Sequence, residues 1–247
     1  MHMFVYTRFA MPMCDEQEMA LWKDQEWVHQ RVHIYKQLTL HSLRRQTDSD
    51  FTIIFDCCEE SRPTVTPYVD GLQAAGVNVV FDGGKALIAS VPDRHHELAM
   101  LRIDSDDMYA APAVQTAKRC LVLRRAMLFV GGFWWHIRKR RVRQWIKPSP
   151  PFYAVRRRRC EIQVVDDFIG ERLARRGRLQ GHSLFRREFR PVCAPGMFCV
   201  CQHGYNQRGG HGYGNRRFSP RMVLPHFGVD RQIWESKQLD IPERVSA

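Results

Sequence analysis

The sequence predicts an α/β fold: a single Rossmann-like domain with a mostly parallel central sheet and helices on both faces, followed by a more irregular C-terminal part. Three observations carry this. Over the first 110 residues short apolar runs alternate with amphipathic or polar stretches. The run Phe51-Thr52-Ile53-Ile54-Phe55 is β-branched and aromatic throughout, as strands buried on both faces are. Two such runs pass directly into aspartates, at Asp56 and at Asp104, which places acids at strand carboxyl ends.

Taken in order, Met3 to Thr7 is a short apolar run suited to a first strand. From Trp27 to Arg45 the residues Val28, Val32, Tyr35, Leu38, Leu40 and Leu43 recur at mostly helical spacing, so this stretch predicts a helix packed by one face. Phe51 to Phe55 is the second strand, Pro67 to Ala75 a crossover helix punctuated by Gly76, and Val77 to Phe81 a third strand stopped by Asp82, Gly83 and Gly84. Leu98 to Ile103 is a fourth strand, and Ala111 to Cys120 a helix opened by Pro112. Ala126 to Val130 and Phe133 to Ile137 read as a hairpin around Gly131 and Gly132, with Trp134 and Trp135 on opposite sides. Pro148, Pro150 and Pro151 break regular structure; a helix is expected from Asp166 to Arg176, and a loop from Gly204 to Gly214. There is no internal repeat.

Composition narrows the function classes. With 247 residues and 44% hydrophobic residues the chain has a core to bury and is not a charge-dominated disordered protein. No apolar run approaches the roughly 20 residues that cross a bilayer, and no basic start followed by a long apolar stretch follows Met1, so a cytoplasmic protein is expected, possible at the cytoplasmic face of a membrane. The adjacent Cys57 and Cys58 end an apolar run and read as small buried thiols rather than a disulfide framework. Cys193, Cys199, Cys201 and His203 are the one cluster to weigh as a zinc site, but they lack the paired spacing of zinc ribbons and fingers. The formal charge of +12 is clumped in arginines: Arg138 to Arg143, Arg156 to Arg159, and Arg172 to Arg178. Such tracts fit a polyanion partner or a solvated surface, and charge alone does not choose between nucleic acid, anionic membrane and a phosphate-bearing small molecule.

Arg102-Ile103-Asp104-Ser105-Asp106-Asp107 is the sharpest chemical feature. Ligands of open α/β sheets bind outside the strand carboxyl ends. Two carboxylates one residue apart there can converge on a hard divalent cation that bridges to phosphates. The competing explanation is a turn or helix cap, in which Asp104 or Asp106 accepts backbone N–H bonds.

At this point the chain resembles the rhamnosyltransferase family of glycosyltransferases with the GT-A fold. The resemblance is carried by Thr7-Arg8-Phe9, by Trp27, Arg31, Leu40, Ser42, Leu43 and Gln46, by Phe51 through Asp56, and by Asp104-Ser105-Asp106-Asp107. Ser149-Pro150-Pro151-Phe152, Gly181-His182-Ser183 and His203-Gly204-Tyr205-Asn206 add to it in the second half. It implies a metal-dependent transfer of a sugar, nominally rhamnose, from a nucleotide-diphosphate donor to a hydroxyl on a glycan or lipid-linked glycan. Residues 1–120 would be the nucleotide-sugar-binding half, 121–215 the acceptor-side half and 216–247 a tail of one domain. Arg8 and Asp56 would line the nucleotide pocket, and Asp104 would face the ribose or a metal-bound water. Asp106, with Asp104 and His203, would ligate Mn²⁺ or Mg²⁺ on the diphosphate, supported by Asp107.

Inverting transfer needs a base on the acceptor hydroxyl. Asp167 and Asp166 are the paired acids in the acceptor half, with Glu161 and Glu188 as alternatives and helix-start acids as the competing explanation. His182 is a candidate for phosphate or acceptor contact. Trp134, Trp135, Trp145, Phe152 and Tyr153 are candidates for sugar stacking, with core packing the simpler assignment. The Arg138 to Arg143 tract suits an anionic acceptor. Two other readings compete: a basic nucleic-acid-binding protein using Arg138 to Arg143 and Arg156 to Arg159, and a transferase fold kept as a glycan-binding module.

Overall fold

Strand β1 (His2–Arg8) is the centre around which the chain is organised, and it is buried on both sides. In the computed structural model, the residues described are 1–10, 21–146, 152–164, 168, 190–192, 194–203 and 216–231. Met3 and Val5 face one apolar cluster, Phe4 and Tyr6 the other, which is the two-period of a strand sandwiched between layers.

Helix α1 (Gln25–Ile34) follows, started by Asp24, whose side chain accepts from the N–H groups of Glu26 and Trp27. It continues through a wider π-helical segment, Tyr35–Leu40, into the short α2 (His41–Arg44). Strand β2 (Thr52–Asp56) runs parallel to β1, with Phe4 opposite Thr52 and Arg8 opposite Asp56. Helix α3 (Arg62–Gln73) crosses over to β3 (Val77–Val80), which pairs parallel with β2. This helix begins earlier than the expected Pro67, because Pro63 takes the first-turn place where a missing N–H costs no hydrogen bond, and Pro67 is carried inside. The short α4 (Lys85–Ala89) precedes β4 (Glu97–Asp104), the parallel neighbour of β1 on its other side. After β5 (Met108–Tyr109), helix α5 (Ala113–Leu123) starts at Pro112 as expected.

The expected hairpin does not form. Strand β6 (Ala126–Phe129) joins the seven-stranded sheet, whereas β7 (Gly132–His136) joins a second, five-stranded sheet. Met127, Leu128 and Phe129 are all fully buried, which suits a strand covered on both faces, while Phe133, Trp134 and His136 of β7 are only partly buried. Gly131, at φ +79°, redirects the chain between the two. Gly132 has a different reason to be glycine: a Cβ there would lie 2.4 Å from the Phe198 ring. Trp134 and Trp135 do face opposite sides, and only Trp135 is buried.

Strands β8 (Arg141–Trp145), β9 (Tyr153–Arg158), β10 (Arg190–Val192), β11 (Phe198–Gln202) and β12 (Arg217–Phe218) complete the sheets, and α6 (Pro220–Val223) follows. The larger sheet has the order β10-β6-β9-β4-β1-β2-β3 and the smaller β12-β8-β7-β11-β5. Parallel pairs join β4, β1, β2 and β3, and β9 runs antiparallel between β4 and β6. Trp145, Phe152 and Phe198 pack together where the two sheets meet, with Phe152 stacked on Phe198 at 4.0 Å. Cys57 and Cys58 are buried free thiols. Among the described residues no helix is long and apolar enough to cross a membrane. The expected helix Asp166 to Arg176 apart from Phe168, the prolines Pro148, Pro150 and Pro151, and the Gly204 to Gly214 loop lie outside the described residues.

Candidate functional site

Parallel register sets three of the expected residues side by side. Arg8, at the end of β1, stands opposite Asp56 of β2 and Asp104 of β4. Residues in register on neighbouring strands share a face, so all three meet at the carboxyl edge of the sheet. The Tyr6 hydroxyl donates to Asp56 Oδ2 at 2.9 Å. Arg102 Nη2 donates to Asp104 Oδ1 at 2.8 Å. Burial opposes the Arg102 charge, but Asp104 beside it holds the guanidinium more firmly protonated than in water. Both carboxylates are thus oriented by a neighbour on the same face.

Past Asp104 the chain turns, with the Asp107 N–H donating to the Asp104 carbonyl at 3.2 Å. Strand β5 then pairs with β11, and the Cys201 N–H donates to Asp107 Oδ1 at 2.9 Å. Asp107 therefore fastens the acidic turn to the strand whose end delivers His203. Burial, and then the negative charges of Asp106 and Asp104, push the Asp107 carboxyl well above its ordinary value. The backbone N–H that Asp107 accepts comes from β11 and not from the turn itself.

Asp106 has another environment. Arg31, from α1, places Nη1 2.8 Å from Asp106 Oδ2 and 3.2 Å from His203 Nε2, and its Nη2 donates to Ser105 Oγ at 2.6 Å. His203 Nε2 is also 3.1 Å from Asp106 Oδ2. Burial alone would raise the Asp106 carboxyl, yet the Arg31 charge and the His203 contact overcome it and hold the group well below the usual carboxylate range. Burial lowers His203 below the ordinary imidazole value against the pull of Asp106. Asp106 and Arg31 are therefore a buried ion pair, with His203 and Ser105 completing the hydrogen bonds such a pair needs.

Sequence reasoning placed Arg31 in a family pattern and gave it no role. A signal was available: Arg31 falls on the packed stripe of α1, with Trp27, Val28 and Val32 at helical spacing. A guanidinium at such a position needs a partner inside the fold.

Of the expected metal ligands, Asp106 and His203 come together, and Asp104 is held by Arg102. Among the described residues no three His, Cys, Asp or Glu side chains are placed to hold a metal ion, and Cys193 of the weighed zinc cluster lies outside them. The arrangement does not fit a divalent cation as it stands, because a guanidinium already occupies the two donors that converge.

Asp167 and Asp166, the expected bases, lie outside the described residues, as do Glu188 and His182. Glu161 follows β9 beside the amino end of β4, where Arg158 pairs with Glu97, so the length of β4, about 23 Å at strand rise, separates it from Asp104. Trp135, Trp145, Phe152 and Tyr153 are buried in the core, and Trp134 is half-buried. The two described arginine tracts are separate. Arg156 pairs with Glu97 at 2.8 Å and Arg159 with Asp93 at 3.4 Å, on the amino side of β4. Arg138 and Arg140 lie in the exposed turn between β7 and β8, and the Arg138 charge acts on His203.

Among known proteins, the family described as "Putative rhamnosyl transferase" matches residues 6–67. That segment runs from β1 into α3 and holds Arg8, Arg31 and Asp56. It bears out the resemblance there and stops short of the acidic turn. Among solved structures, Staphylococcus aureus TarS is similar over 82% of this chain at 11% identity and a TM-score of 0.38, and the chain covers 37% of that protein's length. TarS 1-349 in complex with UDP is similar over 98% of this chain and 68% of its own, at 11% identity and a TM-score of 0.44. Likeness at that level assigns no role to any residue. No curated protein matches the chain.

Proposed function

We propose that the chain is a glycosyltransferase that moves a sugar from a nucleoside diphosphate donor to a hydroxyl acceptor. The observation that carries this reading is the alignment of Arg8, Asp56 and Asp104 on three adjacent parallel strands at the carboxyl edge, where open α/β sheets bind their ligands. The family match over residues 6–67 supports it, and rhamnose is the sugar that family's description implies. In this reading Asp56, oriented by Tyr6, and Asp104, oriented by Arg102, accept hydrogen bonds from base and ribose, and Arg8 lies between them.

The transfer requires the acceptor O–H to give its proton to a base while its oxygen bonds the sugar's anomeric carbon. The bond from that carbon to the phosphate oxygen breaks, and the nucleoside diphosphate leaves with the electron pair. Asp167 or Asp166 is the proposed base. A glycan or lipid-linked glycan is the proposed acceptor, met by the exposed arginine turn at Arg138 to Arg141, which also suits an anionic membrane surface. Negative charge building on the departing diphosphate has to be met by a cation beside Asp106. The Mn²⁺ or Mg²⁺ form of the reading, with Asp106, Asp104 and His203 as ligands, requires Asp104 to leave Arg102 and Arg31 to leave Asp106.

A thermal-shift series with UDP, GDP, ADP, CDP and dTDP tests the reading, since a ligand that binds the folded state raises its stability by mass action. One nucleotide should raise the melting temperature well beyond the others, and Asp56→Asn and Asp104→Asn should each abolish the difference. Equal, small, salt-sensitive shifts for all five in all three proteins would refute the reading and favour generic binding to the arginine tracts.

A further inference from the structure

We propose that Arg31 is the cation of the acidic turn: its guanidinium meets the charge of the donor's diphosphate in place of a divalent metal. The proposal rests on the glycosyltransferase reading and deepens it at one residue.

Three features of the site point this way. First, Arg31 Nη1 sits on Asp106 Oδ2 and His203 Nε2 at 2.8 and 3.2 Å, the two atoms that converge as potential cation ligands. A metal held by both at ordinary bond lengths of about 2.1 Å would come no farther than about 4 Å from that nitrogen, even on the opposite side of the two ligands. Like charges that close are strongly unfavourable in a buried site, so Arg31 and a dication exclude one another. Second, no third ligand converges with these two among the described residues: Asp104 Oδ1 is turned to Arg102 at 2.8 Å and Asp107 Oδ1 to the Cys201 N–H at 2.9 Å. A metal would be left with two protein ligands. Third, the position is built for a guanidinium. Ser105 Oγ takes Nη2, the Trp27 ring lies 5.7 Å from the guanidinium carbon, and no hydrogen-bond partner for the buried Nε is found among the described residues.

Guanidinium groups match phosphate oxygens through fixed pairs of N–H donors, whereas a hard cation supplies charge without that geometry. Arg31 keeps N–H groups beyond those given to Asp106, His203 and Ser105, its buried Nε among them. Asp106 then acts as a positioning residue that holds Arg31 in place.

The test is calorimetric titration of pyrophosphate, and of UDP, GDP, ADP, CDP and dTDP, into the full chain with EDTA or with Mn²⁺. It is run on the natural protein, Arg31→Lys and Arg31→Met, with folding checked by circular dichroism. Paramagnetic resonance of Mn²⁺ mixed with the natural protein measures metal binding without any substitution. The expected result is diphosphate binding unchanged within twofold between EDTA and Mn²⁺, no bound Mn²⁺ signal, at least tenfold weaker binding in Arg31→Met, and an intermediate loss in Arg31→Lys. If Arg31→Met does not fold, the natural protein and Arg31→Lys still decide. Binding that requires Mn²⁺, with a bound Mn²⁺ signal lost in Asp106→Asn, would overturn the role of Arg31 while leaving the transferase reading intact. No binding of any nucleotide or of pyrophosphate in either condition would overturn both.

Discussion

Substituting Arg31→Met and Asp106→Leu, singly and together, measures how far the fold depends on the pair that joins α1 to the acidic turn. The two side chains are 7% and 12% exposed, so neither charge is rescued by water once its partner is gone. Arg31→Met leaves Asp106 in contact with His203 but without its opposite charge, and Asp106→Leu leaves a buried guanidinium in contact with Ser105 and His203. Removing one member of a buried ion pair costs about 3–5 kcal/mol, a large share of the roughly 5–15 kcal/mol that holds a domain together. Removing both replaces the pair with apolar groups of similar size, which is far less costly. The double variant should therefore cost no more than either single, so it loses less than the sum of the singles by at least about 3 kcal/mol, at or above the upper end of couplings between touching residues. Equilibrium urea unfolding reads this as a shift in midpoint at constant slope; with a slope of about 3 kcal/mol/M each single variant moves down by about 1–1.7 M. The coupling should survive added salt, since buried pairs are poorly screened. Losses that simply add, leaving a coupling under about 0.5 kcal/mol, would refute the argument.

Other substitutions probe the frame around the site. Gly132→Ala puts a methyl group against a Phe198 ring already stacked on Phe152 and held edge-on by Trp145, so the ring has no room to yield; the loss should be about 1–3 kcal/mol by chemical denaturation, and a change under about 0.5 kcal/mol would show that the ring does move. Asp107→Asn keeps the acceptor for Cys201 and removes a titration. Below about pH 4 both folded and unfolded chains hold the Asp107 proton; as pH rises the unfolded chain releases it first, so the natural protein loses stability until the raised folded value is passed. The variant should match the natural melting temperature near pH 4 and exceed it increasingly towards pH 7, and a pH-independent gap would count against a raised Asp107 carboxyl. Gln46→Ala removes a side chain that donates to the Ser42 and Ala110 carbonyls and accepts from the Val114 N–H at the start of α5. Each buried group left unpartnered costs about 1–3 kcal/mol, and a fall in melting temperature of at least about 4 °C is expected, with less than about 2 °C showing that water replaces the amide.

The first four strands were legible because their signals are local. An apolar β-branched run such as Phe51 to Phe55 has few stable alternatives, and the strand found at Thr52–Asp56 ends on the expected aspartate. The acids at Asp56 and Asp104 were legible for the same reason, since strand ends can be read from neighbours in the chain. The hairpin expected at Gly131 and Gly132 shows where local reading stops. Two strands around a glycine pair look alike whether they fold back on each other or enter different sheets, and the choice is made by burial: β6 is enclosed on both faces, while β7 meets β8 and β11.

The sequence by itself determined the parallel α/β core and the acidic edge, because hydrophobic period and strand termination are properties of a few consecutive residues. Tertiary structure alone decided what each acid does. Asp104 went to Arg102 of its own strand and Asp107 to the backbone of β11, while Asp106 went to an arginine 75 positions away. No short pattern encodes that last pairing: it exists because burying Arg31 on the packed face of α1 costs too much unless an opposite charge is brought to meet it.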